Sequence, residues 1–283
     1  KGYATDMRHL KSLVLSLLVP ALFLCLWAYM AKRTANDVVL PPIGQVATHF
    51  ASPGTSLIGM GSLVSNILIS LLRVLAGYSI AVLLAIPAGL LLGHNRLLSE
   101  LFTPFLGLFR PIPPLAWVPL VLAWFGIASF ATLFGVEEGE WYVFLNNLKF
   151  SMVFIIFIGA FYPILSGTMH GVSGVRSILV DSARVLGASD RDIFLKVLLP
   201  ASLPSIVNGL RIGLGVAWMC LVSAEMLPGS ISGVGYLITH AYTVARTDIV
   251  IVGMIAIGLL GAAMDRGFLF VEERAFQWQR LTR

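Results

Sequence analysis

Residues 63–93 read LVSNILISLLRVLAGYSIAVLLAIPAGLLLG, an apolar stretch whose single charged side chain is Arg73. A helix of about 20 apolar residues crosses a bilayer core, so this stretch predicts a transmembrane helix. Small residues recur at every fourth position along it, namely Gly77, Ala81, Ala85, Gly89 and Gly93. Lipid offers no hydrophobic drive for helix association, so such a stripe predicts a face where another helix packs closely.

The whole chain shares this composition. Of its 283 residues, 58% are hydrophobic and 12% are charged, against about 45–50% and about 25% in soluble domains. This excludes a soluble enzyme, a disordered chain and a disulfide scaffold. The two cysteines, Cys25 and Cys220, lie in apolar stretches and are interpreted as small hydrophobes. The predicted spans are Leu13–Ala31, Leu63–Gly93, Leu101–Ile127, Phe150–Thr168, Ser205–Leu227 and Ile249–Val271.

The first span has a second interpretation. It follows Arg8 and Lys11, as the apolar core of a secretory signal would, but it is longer than such a core and Lys32-Arg33 follow it. We therefore expect an uncleaved helix. The first residue is Lys1 rather than Met, which is consistent with a natural N-terminus further upstream.

The distribution of basic residues predicts the orientation. One side of the membrane would carry Lys1, Arg8, Lys11, Arg96, Arg176, Arg184, Arg191, Lys196, Arg266, Arg274, Arg280 and Arg283. The other side would carry Lys32, Arg33, Lys149 and Arg246. Because cytoplasmic loops are enriched in Lys and Arg, the first set is predicted to be cytoplasmic, with both termini. The predicted organisation is a cytoplasmic segment 1–12, a permease domain 13–271 and a cytoplasmic tail 272–283.

The third span contains three prolines, in the sequence Arg110-Pro111-Ile112-Pro113-Pro114. Each removes a backbone donor and clashes with the preceding helical turn. Broken backbone at membrane depth is tolerated only against protein or a wet cavity, which predicts an interior-facing segment. The alternative is a bend at the membrane surface, with the span proper starting near Leu115.

The inward loop 169–204 has the signature of two amphipathic helices. Apolar residues recur at helical spacing over Gly174–Leu186, and Gly187 then favours the left-handed conformation that ends a helix. Ser189 begins a second helix with Asp192 three positions later, as in a capping box, and Pro200 is expected to stop it. The apolar face of such a loop must pack on a bilayer surface or on a partner protein.

The spacing in this loop resembles the EAA motif of ATP-binding-cassette importer permeases. That motif reads Glu-Ala-Ala, three residues, Gly, nine residues, Ile, any residue, Leu-Pro. The corresponding residues here are Asp181, Ser182, Ala183, Gly187, Val197, Leu199 and Pro200, and the coupling role is extended to Ala188 and Ser189. Residues 113–120, 124–126, 209–212, 224–226, 233–237 and 248–250 look like the taurine, alkanesulfonate and nitrate branch of that family.

One segment departs from that branch. Residues 128–149 are longer than its short outward turn and contain Glu137, Glu138, Glu140 and Trp141. They are interpreted as either a contact for the substrate-delivery protein or a decorated loop.

The resemblance implies an all-α membrane protein with six transmembrane helices and the type I, MetI-like permease fold, in a bacterial plasma (inner) membrane. It implies a homodimer, although a related second permease is an alternative, with two cytoplasmic ATPase subunits and a solute-binding protein as partners. The chain itself would bind no cofactor, since ATP and Mg²⁺ belong to the partners, and it lacks a G-x-x-x-x-G-K-[ST] phosphate cradle. No nucleic acid partner, catalytic residue or metal site is predicted.

The candidate residues of the translocation path are the polar and charged groups within spans, namely Arg73, Arg110, Asn208, Arg211, Trp218 and Glu225. Charges in a span usually face an interior or a wet cavity. Arg73 or Arg110 would attract an anion, or would instead form a structural ion pair, for example with Glu225, or snorkel to a headgroup. The predicted substrate is a small anion; the alternatives are a vitamin precursor, an ion-coupled carrier and a membrane enzyme.

Overall fold

The computed structural model describes residues 2–226 and 229–275, apart from the side chains of residues 2–14, 16, 140 and 275. The regular elements in these ranges are helical, which confirms the predicted all-α class. They are α1 Gly2–Thr34, α2 Ile43–Ala51, α3 Leu63–His94, α4 Arg96–Phe109, a 3₁₀ turn Pro114–Trp117, α5 Val118–Phe125, α6 Phe130–Phe134, α7 Glu140–Asn146, α8 Phe150–Ser173, α9 Ser177–Val185, α10 Asp190–Ile193, a π-helical turn Phe194–Leu198, α11 Leu199–Glu225, α12 Val234–Thr243 and α13 Thr247–Ala275.

Five helices of the described chain are long and apolar enough to cross a membrane, and the total is six if one bent pair of helices forms a single span. That pair is α4 together with Pro114–Phe125, bent by 84° at the break between them. The prolines therefore break the third span, as predicted. Helices α1 and α13 run without interruption through residues 12 and 271, so helix ends do not mark the predicted domain boundaries, which stay a prediction.

The described residues form two compact units. One combines residues up to 64 with 237–255, and the other combines 65–236 with those from 256 onward. In the first unit, Asp248 lies 2.9 Å from His49 Nε2 and accepts two hydrogen bonds from Arg246. Trp27 Nε1 also donates to the Pro41 carbonyl at 3.0 Å. These contacts join α2 to the start of α13, and α1 to the segment that precedes α2.

Helix α8 is the centre of the second unit. Half of its span is buried inside the chain, against 28% or less for the other long helices. On one side it meets the small-residue stripe of α3, where Cβ atoms added at Gly77 or Gly89 would lie within 2.7 Å of Ile156 or Thr168. The stripe is therefore a packing face, as predicted, because a side chain there would exclude α8.

On its other side α8 meets α11 at two glycines. A Cβ added at Gly167 would lie 2.7 Å from the Gly209 Cα and 3.1 Å from the Ser205 carbonyl oxygen. Both contacts are with backbone atoms, which cannot rotate away. The backbones of α8 and α11 thus approach as closely as Gly allows, which is the small-residue packing typical of membrane helices.

We expect Gly167→Ala to destabilise the folded chain by about 1–3 kcal/mol, the usual cost of overpacking a tight contact. The matched control is Gly215→Ala in α11, where nothing lies within 4 Å of the added Cβ. Helix propensity alone makes that control neutral or stabilising by up to about 1 kcal/mol. The measurement is reversible unfolding in mixed micelles, and equal stability of the two variants would contradict the packing argument.

The extended loop 128–149, which is predicted to face outward, forms a small helical hairpin of α6 and α7. Ser129 and Lys149 pair across its base, where the Phe130 amide donates to the Leu148 carbonyl oxygen at 3.1 Å. Trp141 at its outer part is 72% exposed. Both interpretations of this loop, delivery-protein contact and decoration, stay open.

Candidate functional site

The loop between α8 and α11, which is predicted to face inward, ends its first helix with a complete glycine cap. Gly187 adopts φ +80°, its amide donates to the Arg184 carbonyl oxygen at 2.9 Å, and the Ala188 amide donates to that of Ala183 at 3.0 Å. This pair of bonds is the Schellman motif, in which a left-handed residue satisfies the last carbonyls of a helix. The predicted glycine turn is confirmed, and it sets the angle between α9 and α10.

The second helix of the loop begins with the predicted cap. Ser189 Oγ accepts from the Asp192 amide at 3.2 Å and donates to its carboxylate at 2.6 Å. Lys196 lies 2.7 Å from the same carboxylate. The hydrogen bond from Lys196, and then that from Ser189, lower the pKa of Asp192 below its usual value. The carboxylate therefore stays ionised and fixes the start of α10.

Pro200 does not end this helix, contrary to the sequence expectation. The helical path continues from α10 through the π-helical turn Phe194–Leu198 into α11, with Pro200 in the first turn of α11. A π turn widens the backbone just before the proline, which relieves the clash between its ring and the preceding carbonyls. Val197 lies in this turn and Leu199 begins α11, so both connect the loop rigidly to a membrane span.

The apex of the loop exposes apolar side chains. Val185 and Leu186 are 87% and 86% exposed, and Ile178 is 67% exposed. The other predicted coupling residues surround them: Asp181, Ser182, Gly187 and Ser189 are exposed, and Ala183 and Ala188 are half-buried. An exposed apolar patch beside a rigid turn is typical of a docking surface.

A buried ion pair joins α3 to the end of α11. Arg73 Nη1 donates to Glu225 Oε1 at 2.8 Å, and both side chains are fully buried. Ser70 Oγ lies 2.8 Å from the same carboxylate, and the Gly235 amide donates to it at 2.9 Å. The sequence analysis left two roles open for Arg73, attraction of an anion or a structural ion pair. The structure shows the second, an ion pair with Glu225.

The same arginine also binds the backbone of two loops. Arg73 donates to the carbonyl oxygens of Asn147 and Ser232, each at 2.7 Å. The Gly233 amide donates to Asn66 Oδ1 at 2.8 Å. Gly233 has φ +108°, and a Cβ there would lie 2.2 Å from Glu225 Oε1, so only glycine fits. Together these bonds fasten residues 232–235 to α3.

The remaining polar residues of the α11 stripe have separate environments. Arg211 makes two hydrogen bonds to Asp265 on α13, at 2.6 and 2.9 Å, and both side chains are partly exposed. Trp218 is buried and donates to the Ile257 carbonyl oxygen at 3.2 Å, whereas Asn208 is exposed. Within one chain the stripe is not a continuous exposed face, and its role in the translocation path stays a prediction.

Sequence reasoning missed most members of the Arg73 network. The omitted residues are Asn66, Ser70, Asn147 and Ser232. A signal for two of them was present, because Asn66 and Ser70 precede Arg73 by seven and three positions, which places all three on one face of α3. Asn147 and Ser232 come from loops distant in sequence and carry no such signal.

Arg110 lies at the end of α4, beside a cavity. Its guanidinium carbon is 5.6 Å from the centre of the Tyr162 ring on α8, within cation–π distance. The cavity has a volume of about 300 Å³ and lies between the broken third span and α8.

Tyr162 is about 18 Å along α8 from Phe150 at 1.5 Å per residue, near the middle of the span. This depth favours an interior break in the third span over a bend at the membrane surface.

Known proteins are similar to this chain over almost its full length. A putative ABC transporter permease protein of Methanocaldococcus jannaschii is 45% identical over 99% of this chain and 97% of its own length. A putative aliphatic sulfonates transport permease protein of Bacillus subtilis is 32% identical, over 93% and 87%. Further relatives are named as taurine, nitrate and bicarbonate permeases, which confirms the resemblance seen in the sequence.

The fold comparison agrees with this. A solved structure of the MetNI methionine ABC transporter in inward facing conformations has a TM-score of 0.52 at 20% identity, covering 74% of this chain and 95% of that chain. The predicted MetI-like permease fold is therefore confirmed. The family described as binding-protein-dependent transport system inner membrane component matches residues 81–277. The chain belongs to this family, the membrane-spanning permeases of ABC importers.

Proposed function

We propose that the chain forms the translocation path for a small anion of the sulfonate, taurine, nitrate or bicarbonate class, delivered by a solute-binding protein on the outer side. Relatives that carry the names of such permeases support this substrate class. The family description, a binding-protein-dependent system, supports the mode of delivery.

Coupling to ATP is proposed to occur through the loop 169–204. The observation that carries this proposal is the exposed apolar apex, Val185 and Leu186, held next to the Gly187 cap. A cytoplasmic ATPase subunit would cover this apex, as a groove accepts the apolar face of a helix. Because α10 continues into α11, a displacement of the apex would be transmitted to a membrane span.

The assembly proposed is a homodimer with two ATPase subunits. One chain contains one such loop, and a two-fold assembly supplies one loop for each of two ATPases. ATP and Mg²⁺ would be bound by those subunits, and their closure on ATP would switch the permease between inward-open and outward-open states by binding one state more tightly.

An ion-coupled carrier is less well supported. Such a carrier needs acids that titrate within the spans. Glu225 is paired with Arg73 and Asp265 with Arg211, so both carboxylates already have cationic partners. Each carboxylate is therefore held in a salt bridge, whereas an ion-coupled carrier needs an acid that is free to bind the coupling ion.

The experiment is reconstitution of the chain with its co-encoded ATPase in proteoliposomes. We expect ATP hydrolysis and uptake of labelled anions to rise together when the binding protein is present. The double variant Val185→Ser with Leu186→Ser should lose ATPase recovery on pulldown. The matched control is Leu97→Ser, which alters another exposed leucine, 74% accessible, at the predicted inner end of α4. Uptake without ATP would refute the proposal.

Orientation gives a separate prediction. The basic-residue distribution places both termini in the cytoplasm. A reporter fused after residue 283 should be active in the cytoplasm, and one inserted within residues 136–141 of the outward hairpin should report the outside. The reverse activities would overturn the orientation, and both reporters on one side would overturn the number of spans.

A further inference from the structure

The predicted spans 63–93, 101–127 and 205–227 each contain one arginine, and two of these three are neutralised. Arg73 is paired with Glu225 and Arg211 with Asp265. Across the described residues, Arg110 takes part in none of the ion pairs, and its guanidinium faces the Tyr162 ring. An unpaired charge near the middle of a bilayer is expensive, so its position calls for a water-filled cavity or a ligand.

The walls of the cavity beside Arg110 are largely apolar, with several aromatic side chains. They include Phe109, Trp117, Phe157 and Tyr162, with Phe109 and Trp117 stacked 6.0 Å apart. The indole nitrogen of Trp117 is buried and has no hydrogen-bond partner in the part of the chain that the structure describes. Such a nitrogen is uncommon, since buried donors are nearly always satisfied. This nitrogen has no accessible surface, so what the cavity offers to a ligand is one cation and a large apolar surface.

The size and lining of the cavity distinguish between ligand classes. A volume of about 300 Å³ is at the lower end of small-molecule sites. A cationic solute would be repelled by Arg110, and a bare inorganic ion would leave the aromatic walls without a contact. An oxyanion head with a short organic tail suits both features, because guanidinium binds two oxygens at once while the tail lies against the rings.

We propose that this cavity is a binding site for small organic oxyanions, of the alkanesulfonate kind, on their passage through the permease, with Arg110 as the residue that binds the anionic head. The proposal rests on the proposed function and adds to it a location and a preference for organic over inorganic anions. Non-helical backbone is tolerated at membrane depth where it lines a cavity. The unwound backbone at Pro111–Pro113 lies beside this one, which is consistent with its depth.

The test measures the charge preference of the cavity directly. Ile158 of α8 lines the cavity and is partly exposed. Ile158→Cys would be placed in a background of Cys25→Ala and Cys220→Ala, in the complete permease–ATPase complex in nanodiscs. The rates of labelling by the anionic reagent MTSES, itself an ethylsulfonate, and by the cationic MTSET would be compared.

We expect the MTSES-to-MTSET ratio to fall about tenfold on Arg110→Gln, because a unit charge that lines the same cavity as residue 158 is removed from a site of low dielectric constant. Arg110→Lys should keep the ratio within about twofold. Arg96→Gln is the matched control, since it removes the same charge from the start of the same helix, about 20 Å away. Ethanesulfonate should slow MTSES labelling in the Arg110 protein, and sodium nitrate at equal ionic strength should slow it less.

Three results would overturn the inference. They are a ratio unchanged by Arg110→Gln, no labelling by either reagent in any nucleotide state, and equal protection by nitrate and ethanesulfonate. If Arg110→Gln fails to assemble, the protection measurement in the Arg110 protein decides alone. The labelling does not depend on transport. Absence of anion uptake with the charge preference intact would refute the proposed function only, whereas uptake without the preference would refute this site only.

Discussion

Glu225→Gln should lower the free energy of unfolding of the permease by about 3–5 kcal/mol, the usual cost of removing one partner from a buried ion pair. The substitution keeps the shape of the side chain but leaves the Arg73 guanidinium buried without a carboxylate. The same carboxylate also accepts from Ser70 and from the Gly235 amide, so the attachment of residues 232–235 to α3 should weaken as well. The measurement is the stability of the purified complex to heat and to denaturing detergent.

Two controls distinguish the effect of leaving a buried charge unpaired from a general loss of stability. Asp265→Asn breaks the partly exposed pair with Arg211, and such pairs contribute about 0–1 kcal/mol, so the loss should be small. The double variant Arg73→Leu with Glu225→Leu removes both charges and should recover part of the stability lost by the single variant. Equal losses for Glu225→Gln and Asp265→Asn would show that burial of the pair is not what stabilises it. Loss of uptake with full stability would instead favour a role in the translocation path.

Gly187→Val should reduce ATP-dependent uptake at least tenfold while the permease still inserts and folds. Gly187 has φ +80°, and a β-branched residue is strongly strained in that conformation. The Schellman bonds of Gly187 and Ala188 would be lost, and with them the angle between α9 and α10. Because the loop is exposed and nothing lies within 4 Å of an added Cβ, the strain should not spread into the membrane core.

The matched control for this prediction is Gly187→Asn, because Asn tolerates the left-handed conformation. It should keep most of the ATPase recovery in a pulldown and most of the uptake. If valine and asparagine behave alike, backbone conformation is not the reason for glycine at this position. Normal uptake by Gly187→Val would mean that the loop angle is not part of the coupling.

The caps of the loop 169–204 could be predicted from the sequence alone. The Schellman cap and the serine cap depend on residues within a few positions of each other, so local spacing was sufficient to predict them. The same reasoning was wrong at Pro200, where it treated a proline as the end of a helix. There a π-helical turn accommodates the proline, and such a turn has no signal in the local pattern.

The partners of the intramembrane charges could not be predicted from the sequence. The helical spacing of Asn208, Arg211, Trp218 and Glu225 placed them correctly on one helix, but it could not say which neighbour each would meet. Arg73 and Glu225 are 152 positions apart, and their pairing depends on how α3 and α11 pack about α8. The glycines that allow this packing were visible in the sequence, whereas their partner atoms on α8 were not.

The sequence by itself determined the all-helical membrane class, the six apolar segments, the break in the third span and the caps of the inward loop. These follow from composition and from contacts within one or two helical turns, which are properties of a local stretch of chain. Only the tertiary structure decided which arginines are paired with carboxylates, and that Arg110 borders the cavity beside the broken third span. That outcome depends on side chains brought together from distant segments, because the energy of a buried charge is set by its surroundings and not by its neighbours in sequence.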